Sequence, residues 1–504
     1  MEYKPYVIDS GYLFPPSLAD FLGEDDEVHI FREVTEHLDT NHLDSVFNGM
    51  GQRPYHPRML LRLLMWGMAN RVISTRKIET LSGRDVSFIY LAGGQRPDYR
   101  TLARFRRRNA DEIKGLFKET VFLCARLGMV SLGHIALDGT KVKASSSRYK
   151  AMSYGRMKEE EKRLDKEIEE LMRQAEEADE SEDRAFGKEN NGYKLPKELQ
   201  RREGRLEKIR RLKGEIERER REEQGLGKEE DPLIEDREQR SFADKDARMM
   251  LMKRGGFDYG YNAQVCIAEG AGVIVAADLS NKASDTGHLP GLVAEIRDLR
   301  EELGKGEGEQ TEVTADGGYF SADNIEQEGE GIELLIASGR EGKEKGIVEK
   351  IYSVERFEYL KGDDTWRCPD GRKLVRKRKQ AVKGRPPLRC YECPDCGGCR
   401  LRAYCLKSGK ENRTLLVKKR QLIKAEMRTR LKDPGKRAIY GKRKWVVEQG
   451  IGQIKAGMGF REVSVRGKKF VRSQWYFICA IYNIMKVVRH IARMRKRGLV
   501  PAIS

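Results

Sequence analysis

The sequence predicts an α/β fold built on a mixed sheet, and three observations carry that expectation. Beta-prone apolar runs at 134–144, 259–267, 272–279 and 332–336 are separated by a stretch of helical spacing from Leu289 to Leu303. Read along the chain, the order is strand, hairpin, helix, strand, helix, strand, as α/β domains require. Asp138 and Asp316 each end or follow a β-prone run, the position where open α/β sheets place ligand sites.

The elements follow in order. Residues 1–50 carry no clear pattern. Residues 55–130 read as short helices broken by Gly-Gly and Pro-Asp, with Pro57 at a first turn. Their basic stretch holds Arg104, Arg106 and Arg107, which fits either a DNA-binding helix-turn-helix bundle or a bundle that only packs on the rest of the chain. His134 to Ala144 alternates as a strand carrying Asp138. Residues 155–230 then become rich in Glu, Lys and Arg. Met157, Leu164, Ile168, Leu171 and Ala175 recur at helical spacing, as do Leu199, Leu206, Ile209 and Ile216. The polar break between them, with Gly187, Gly192 and Pro196, predicts an antiparallel helical hairpin inserted into the α/β domain. Strand signals resume on either side of Glu269-Gly270-Ala271-Gly272, which reads as a hairpin turn. A strand ending at Asp316, a helix opening near Ser321 and a strand at Ile332–Ile336 complete the pattern.

Charge narrows the partner. The formal net charge is +18 over 504 residues. From Lys418 to Ser504 there are 24 Lys and Arg against 4 Asp and Glu, leaving 74 against 76 elsewhere, so the basic excess lies wholly in the last 87 residues. Such a segment suits a nucleic-acid backbone better than a merely solubilising role, because it also contains a candidate metal ligand, Glu448. No apolar h-region follows Met1, and no run approaches the roughly 20 apolar residues of a spanning helix. The run from Trp475 to Ile484 reads as a buried helix segment. A cytosolic protein without a membrane partner is expected.

Six of the nine cysteines cluster: Cys368, Cys390, Cys393, Cys396, Cys399 and Cys405. Paired Cys-x-x-Cys units on tight turns suit a tetrahedral structural Zn²⁺. Incidental thiols and redox chemistry are the weaker readings, and which four cysteines would ligate stays open. The block at 340–417 has few large apolar residues, which favours a mini-core stapled by metal.

Three carboxylates stand out: Asp138 in Leu137-Asp138-Gly139-Thr140-Lys141, Asp316 in Ala315-Asp316-Gly317-Gly318-Tyr319, and Glu448 before Gln449-Gly450. Each alone is weak, since Asp-Gly is common in turns and a helix-surface Glu usually pairs with a nearby Lys such as Lys444 or Lys455. Together they are the few hard oxygen ligands that Mg²⁺-dependent phosphoryl chemistry needs. Lys444 and Lys455, four before and seven after Glu448, fall on its side of a helix and would grip neighbouring phosphates.

In these blocks the chain resembles the bacterial insertion-sequence transposases of the DDE class. The resemblance runs over almost the full length. Tyr55 through Arg108 is similar to their N-terminal helical domain, Asp138-Gly139-Thr140-Lys141-Val142-Lys143-Ala144 to the first catalytic block, Gly260-Tyr261-Asn262-Ala263-Gln264 to the strand between, Asp316-Gly317-Gly318-Tyr319-Phe320 to the second block, and Lys442 through Lys455 to the third. Much of the family spaces that last block Tyr-x2-Arg-x3-Glu-x6-Lys. Here Glu448 and Lys455 match, Lys444 holds the Arg position and Gly441 the Tyr position, with Tyr440 and Arg443 one residue early.

The resemblance implies a ribonuclease-H-like core, in two parts at 131–150 and 240–339, behind a helical, DNA-binding domain at 1–130. It implies a helical hairpin inserted at 151–239, the cysteine-rich insertion at 340–417, and core C-terminal helices with a basic tail at 418–504. It also implies cleavage and joining of DNA at terminal inverted repeats. Two Mg²⁺ (or Mn²⁺) ions would be held by Asp138, Asp316 and Glu448. Double-stranded DNA would be the partner and a homodimer or larger assembly the acting form, at the nucleoid of a bacterial cytoplasm. Arg443, Lys444 and Lys455 would contact phosphates. Trp445 reads first as a buried helix anchor, and otherwise as a platform for a displaced base. The alternatives are a domesticated, non-catalytic DNA-binding protein, and a nuclease with the same core that does not transfer strands.

Overall fold

Six helices precede the first strand: α1 (Glu27–Glu36), α2 (Pro57–Ala69), α3 (Thr75–Leu81), α4 (Val86–Leu91), α5 (Tyr99–Arg108) and α6 (Ile113–Arg126). The computed structural model describes residues 17–43, 53–147, 150–186, 197–227, 229–252, 255–306, 308–338, 353–377, 380–382, 385–406 and 410–499. Asp26, His56, Asp85 and Asp98 cap α1, α2, α4 and α5 by accepting first-turn N–H groups, and Pro57 opens α2 where its missing N–H costs nothing. Helix α2 buries Met59 to Leu61 and Leu63 to Met68, apolar almost all round because it lies inside the bundle. Helix α1 falls in a stretch whose sequence gave no signal; its ten residues bury only one side.

The next element, β1 (Val130–Lys143), is the spine of the main sheet. It starts four residues before the alternation at His134, because Ser131 and Gly133 interrupt the apolar pattern without ending the ladder. After β2 (Ala151–Ser153) the chain leaves the sheet in two long helices, α7 (Tyr154–Phe186) and α8 (Lys197–Gln224), and returns through β3 (Gln239–Ser241), which pairs with β2. Arg202–Glu167, Arg210–Glu161 and Tyr154–Glu217 contacts run in opposite directions along the two helices, so they are antiparallel, around a core of Met157, Leu164, Leu206, Ile209 and Ile216. The expected break at Gly187, Gly192 and Pro196 lies outside the described residues.

Strands β4 (Arg248–Leu251), β5 (Phe257–Gly270) and β6 (Ile274–Ser280) follow, then helix α9 (Leu289–Glu302), β7 (Thr311–Ala315), the one-turn α10 (Ala322–Ile325) and β8 (Ile332–Ile336). The sheet order is β6–β5–β1–β7–β8, with β4 sharing the outer edge of β5. β5 is antiparallel to β1 and to β6, whereas β7 is parallel to both β1 and β8. Between β5 and β6 the turn needs Gly270 at φ 99° and Gly272 at φ 70°, conformations glycine adopts without strain. The helix expected from Ser321 is only four residues long; Ser321 caps it.

A second sheet comprises β9 (Glu358–Leu360), β10 (Thr365–Arg367), β11 (Lys373–Arg376), β12 (Gln380–Val382), β13 (Arg385–Glu392) and, after the one-turn α11 (Arg402–Cys405), β14 (Thr414–Val417). It has its own core of Trp366, Leu374, Tyr391, Leu415 and Val417. The start of the cysteine-rich block, 339–352, lies outside the described residues. Three helices close the chain: α12 (Lys419–Arg430), α13 (Pro434–Gly452) and α14 (Lys468–Lys496). Trp475 to Ile484 is buried throughout within α14, which packs on α1, α2, α6 and β6. No helix among the described residues is long and apolar enough to cross a membrane.

Where β5 crosses β1, a Cβ on Gly260 would stand 2.6 Å from the Val142 carbonyl oxygen, a backbone atom that no rotamer change can move. Gly260→Ala is expected to destabilise the protein by about 1–3 kcal/mol. Gly214→Ala, in open space on α8, is expected to stabilise that helix by up to about 1 kcal/mol. Thermal unfolding of the two variants should shift in opposite directions.

Candidate active site

Parallel pairing sets the site. His134 lies beside Glu312 and Ala136 beside Thr314, so the same register carried two residues further brings Asp138 level with Asp316, just past the end of β7. Neighbouring strands are about 4.8 Å apart. Asp138 accepts the Gly139 N–H at 2.8 Å, and its second oxygen is 3.2 Å from Arg443 Nη1. Burial raises the Asp138 carboxyl above the usual range; Arg443 opposes that rise and the nearby Asp316 adds to it. Asp316 follows β7 and caps the turn Gly317–Tyr319, accepting the Gly318 N–H at 2.9 Å, whereas Asp138, expected at a strand end, lies inside β1 because the ladder with β5 continues to Lys143.

Helix α13 packs across β1, β5 and β7. Its inward line is Arg443, Val446, Val447 and Gly450, with Gly450 closing on Ile267. Arg443 is 15% exposed, and its Nε and Nη1 are buried without a hydrogen-bond acceptor among the described residues, the approach to Asp138 being an ion pair without hydrogen-bond alignment. The Tyr440 ring lies 5.8 Å from its guanidinium carbon. Lys444 and Glu448 are exposed, off the packed line of the helix, and the carboxylate oxygens of Asp138, Asp316 and Glu448 do not all lie within 4.8 Å of one another. The structure brings Asp138 and Asp316 together but not Glu448 with them. Trp445 is 57% exposed, which overturns the buried-anchor expectation: Val446 and Val447 occupy the packed side of the helix and leave Trp445 outside it. Beyond Gly452 the chain winds into a π-turn, Gln453–Gly457, so Lys455 does not sit two α-turns from Glu448. Its ammonium instead donates to the Lys141 carbonyl at 3.0 Å, on the strand that carries Asp138.

A polar set that sequence reading missed lies at the same end of the sheet. Asn262 and Gln264 are fully buried. Asp285, in the loop before α9, accepts from Asn262 Nδ2 at 2.7 Å, Gln264 Nε2 at 3.0 Å and Lys141 Nζ at 3.2 Å, all on its Oδ1. The Tyr319 hydroxyl donates to Gln264 Oε1. Burial, then Asp285, Asp138 and Asp316, push the Tyr319 phenol well above its usual range, so it remains a donor. Polar residues at alternate positions of an otherwise apolar strand were the available signal; Asp285 itself offered none.

Arg106 and Arg107 of α5 line a cavity of about 440 Å³ together with Ser145, Arg466 and Phe470. Arg106 reaches Ser464 Oγ at 3.4 Å, Arg107 lies 4.9 Å from the Phe470 ring centre, and Arg104 is exposed. Of the six clustered cysteines, Cys393, Cys396 and Cys405 are buried in the second core and Cys368 packs against it. Cys368 Sγ accepts the Arg372 N–H at 3.3 Å, and Cys396 Sγ the Arg413 N–H at 3.5 Å. Burial pushes the Cys393 thiol up to about 12. Cys399 lies beside Asp370, and Cys390 lies on β13 near Glu392. Separately, Asp39, His42 and Glu119 bring one ligand atom each within 4.8 Å of one another.

The Transposase DDE domain family matches residues 367–488, from the cysteine-rich block through Glu448 and Lys455 into α14. The Transposase domain (DUF772) family matches residues 18–108, the helices α1 to α5. No curated protein and no solved structure matches the chain.

Because Tyr319 is buried and its hydroxyl serves Gln264, Tyr319→Phe leaves a buried amide oxygen without its donor. The expected loss is about 1–3 kcal/mol of stability, read by urea unfolding.

Proposed function

Since the chain belongs to the insertion-sequence DDE transposases, we propose that it cuts DNA at the terminal inverted repeats of its element and joins the freed ends to target DNA. The observation that carries this reading is the level placement of Asp138 and Asp316 on adjacent parallel strands, beneath a basic helix. The strand order β6–β5–β1–β7–β8, with only β5 antiparallel to β1, is that of a ribonuclease-H-like core and supports the same assignment.

The donor set fits a hard divalent cation. Asp138 and Asp316 offer carboxylate oxygens, they repel one another, and Gly318 leaves a space beside Asp316 that any side chain would fill. Asp138, Asp316 and Glu448 would hold two Mg²⁺ or Mn²⁺ ions. When bound, the ions supply Lewis-acid activation of a water or a DNA 3′-hydroxyl and stabilise the leaving oxygen. The protein's own contribution is positional. Arg443, the counter-charge of Asp138 in this structure, would be placed to meet a phosphate held beside that carboxylate. Lys444, Lys455, Arg104, Arg106 and Arg107 neutralise further phosphates. Trp445, exposed on the Lys444 side of α13, stacks on a base displaced near the cut. Cys393, Cys396 and Cys405 of the second core, with Cys368 beside them, would hold a structural Zn²⁺ after drawing their sulfurs together. Two copies pair the two element ends.

Asp138→Asn, Asp316→Asn and Glu448→Gln should each lower Mg²⁺-dependent cleavage of terminal-repeat DNA by about a hundredfold or more, with DNA binding retained in a gel-shift assay. Full cutting by any one of them removes that residue from the site. Tight binding without cleavage by the native chain would favour a non-catalytic DNA-binding protein, and nicks without joined products a simple nuclease. Metal analysis should find zinc in the native protein and none in the second core of Cys396→Ser.

A further inference from the structure

We propose that Asp285 is a third carboxylate of the divalent-cation site, facing Asp316 across Gly318; this rests on the metal-dependent reading above. The carboxylate is divided in its duties. Its Oδ1 takes all three side-chain donors, from Asn262, Gln264 and Lys141. Its Oδ2 has no donor among the described residues. A Cβ at Gly318 would lie 3.2 Å from that Oδ2 and 3.0 Å from Asp316 Oδ1, so the two oxygens flank one small space that the glycine keeps open. Gly139, next to Asp138, makes room for the anchored side of Asp285 instead: a Cβ there would lie 2.6 Å from Gln264 Nε2 and 2.9 Å from Asp285 Oδ1.

The loop is also tied to both catalytic strands. Lys141, on the Asp138 strand, donates to the Ala283 carbonyl at 2.7 Å as well as to Asp285. Thr286 donates to the Gly318 carbonyl at 3.2 Å, on the Asp316 turn. A carboxylate anchored through one oxygen and presenting the other is how metal-ligating carboxylates are oriented by their surroundings. A side chain needed only to satisfy Asn262 and Gln264 would not have to keep its charge, because an amide oxygen accepts the same bonds. Apart from a cation, the charge serves the partly exposed Lys141 ammonium, an ion pair worth little to stability.

That difference is the test. Asp285→Asn keeps the shape and the acceptor for Asn262, Gln264 and Lys141 but removes the charge facing Asp316. Mn²⁺ titration of the full-length protein, followed by electron paramagnetic resonance of the free ion, gives the affinity, and thermal unfolding without metal gives the fold. The expected result is Mn²⁺ affinity weakened by about tenfold or more with the metal-free unfolding temperature unchanged. Gly318→Ala, which fills the shared space, should weaken Mn²⁺ in the same way and serves where Asp285→Asn does not fold. An unchanged Mn²⁺ constant in either folded variant overturns the inference. Asp138→Asn is measured alongside: if it weakens Mn²⁺ while Asp285→Asn does not, only the Asp285 assignment falls; if neither does, the metal-dependent reading falls with it.

Discussion

Two carboxylates held side by side, Asp138 within β1 and Asp316 just past the end of the parallel β7, repel one another, and much of the surrounding structure answers that repulsion. The register between β1 and β7 is fixed by backbone hydrogen bonds, so Asp138 and Asp316 cannot simply drift apart. Burial raises the cost of charging Asp138, and Asp316 raises it further. The free chain offsets this with backbone N–H donors from Gly139 and Gly318 and with the Arg443 guanidinium. A guanidinium with two buried nitrogens lacking acceptors is a poor permanent partner.

The long excursions from the sheet leave this arrangement intact because of where they depart. The paired helices α7 and α8 enter and leave through the small β2–β3 ladder, beyond the end of β1. The cysteine-bearing sheet follows β8 at the far edge and has its own buried centre. Helix α13 then returns across the middle of the main sheet, carrying Arg443 and Glu448, and the π-turn after it delivers Lys455 to the Asp138 strand. Segments hundreds of residues apart in the chain therefore meet at one end of one sheet.

How much of this was legible follows from how local each signal is. The strand at Ile332–Ile336 coincides with its four apolar residues around Glu333, and the strand and turn around Asp316 with an apolar run meeting glycines. The strand-end position of Asp316 was legible for that reason, whereas Asp138 lies inside a strand that runs on to Lys143. Trp445 was not, because the packed side of α13 is narrow and Val446 and Val447 compete for it at adjacent positions. Lys455 was misplaced on the helix because a π-turn adds a residue that no local pattern announces. Asp285 was invisible: it sits among small polar loop residues, and its importance comes from Lys141, Asn262, Gln264 and Gly318, none of them near it on a regular element.

The claim on which the account turns is that Asp138, Asp316 and the helix bearing Glu448 share one cation site when DNA is bound. Replacing Mg²⁺ by Fe²⁺ and generating hydroxyl radicals at the bound metal cuts the polypeptide wherever it passes close to the ion. The account predicts breaks near Asp138, near Asp316 and within α13 around Glu448, all suppressed by excess Mg²⁺. Breaks near the two aspartates with none in α13, in the DNA complex, would contradict it.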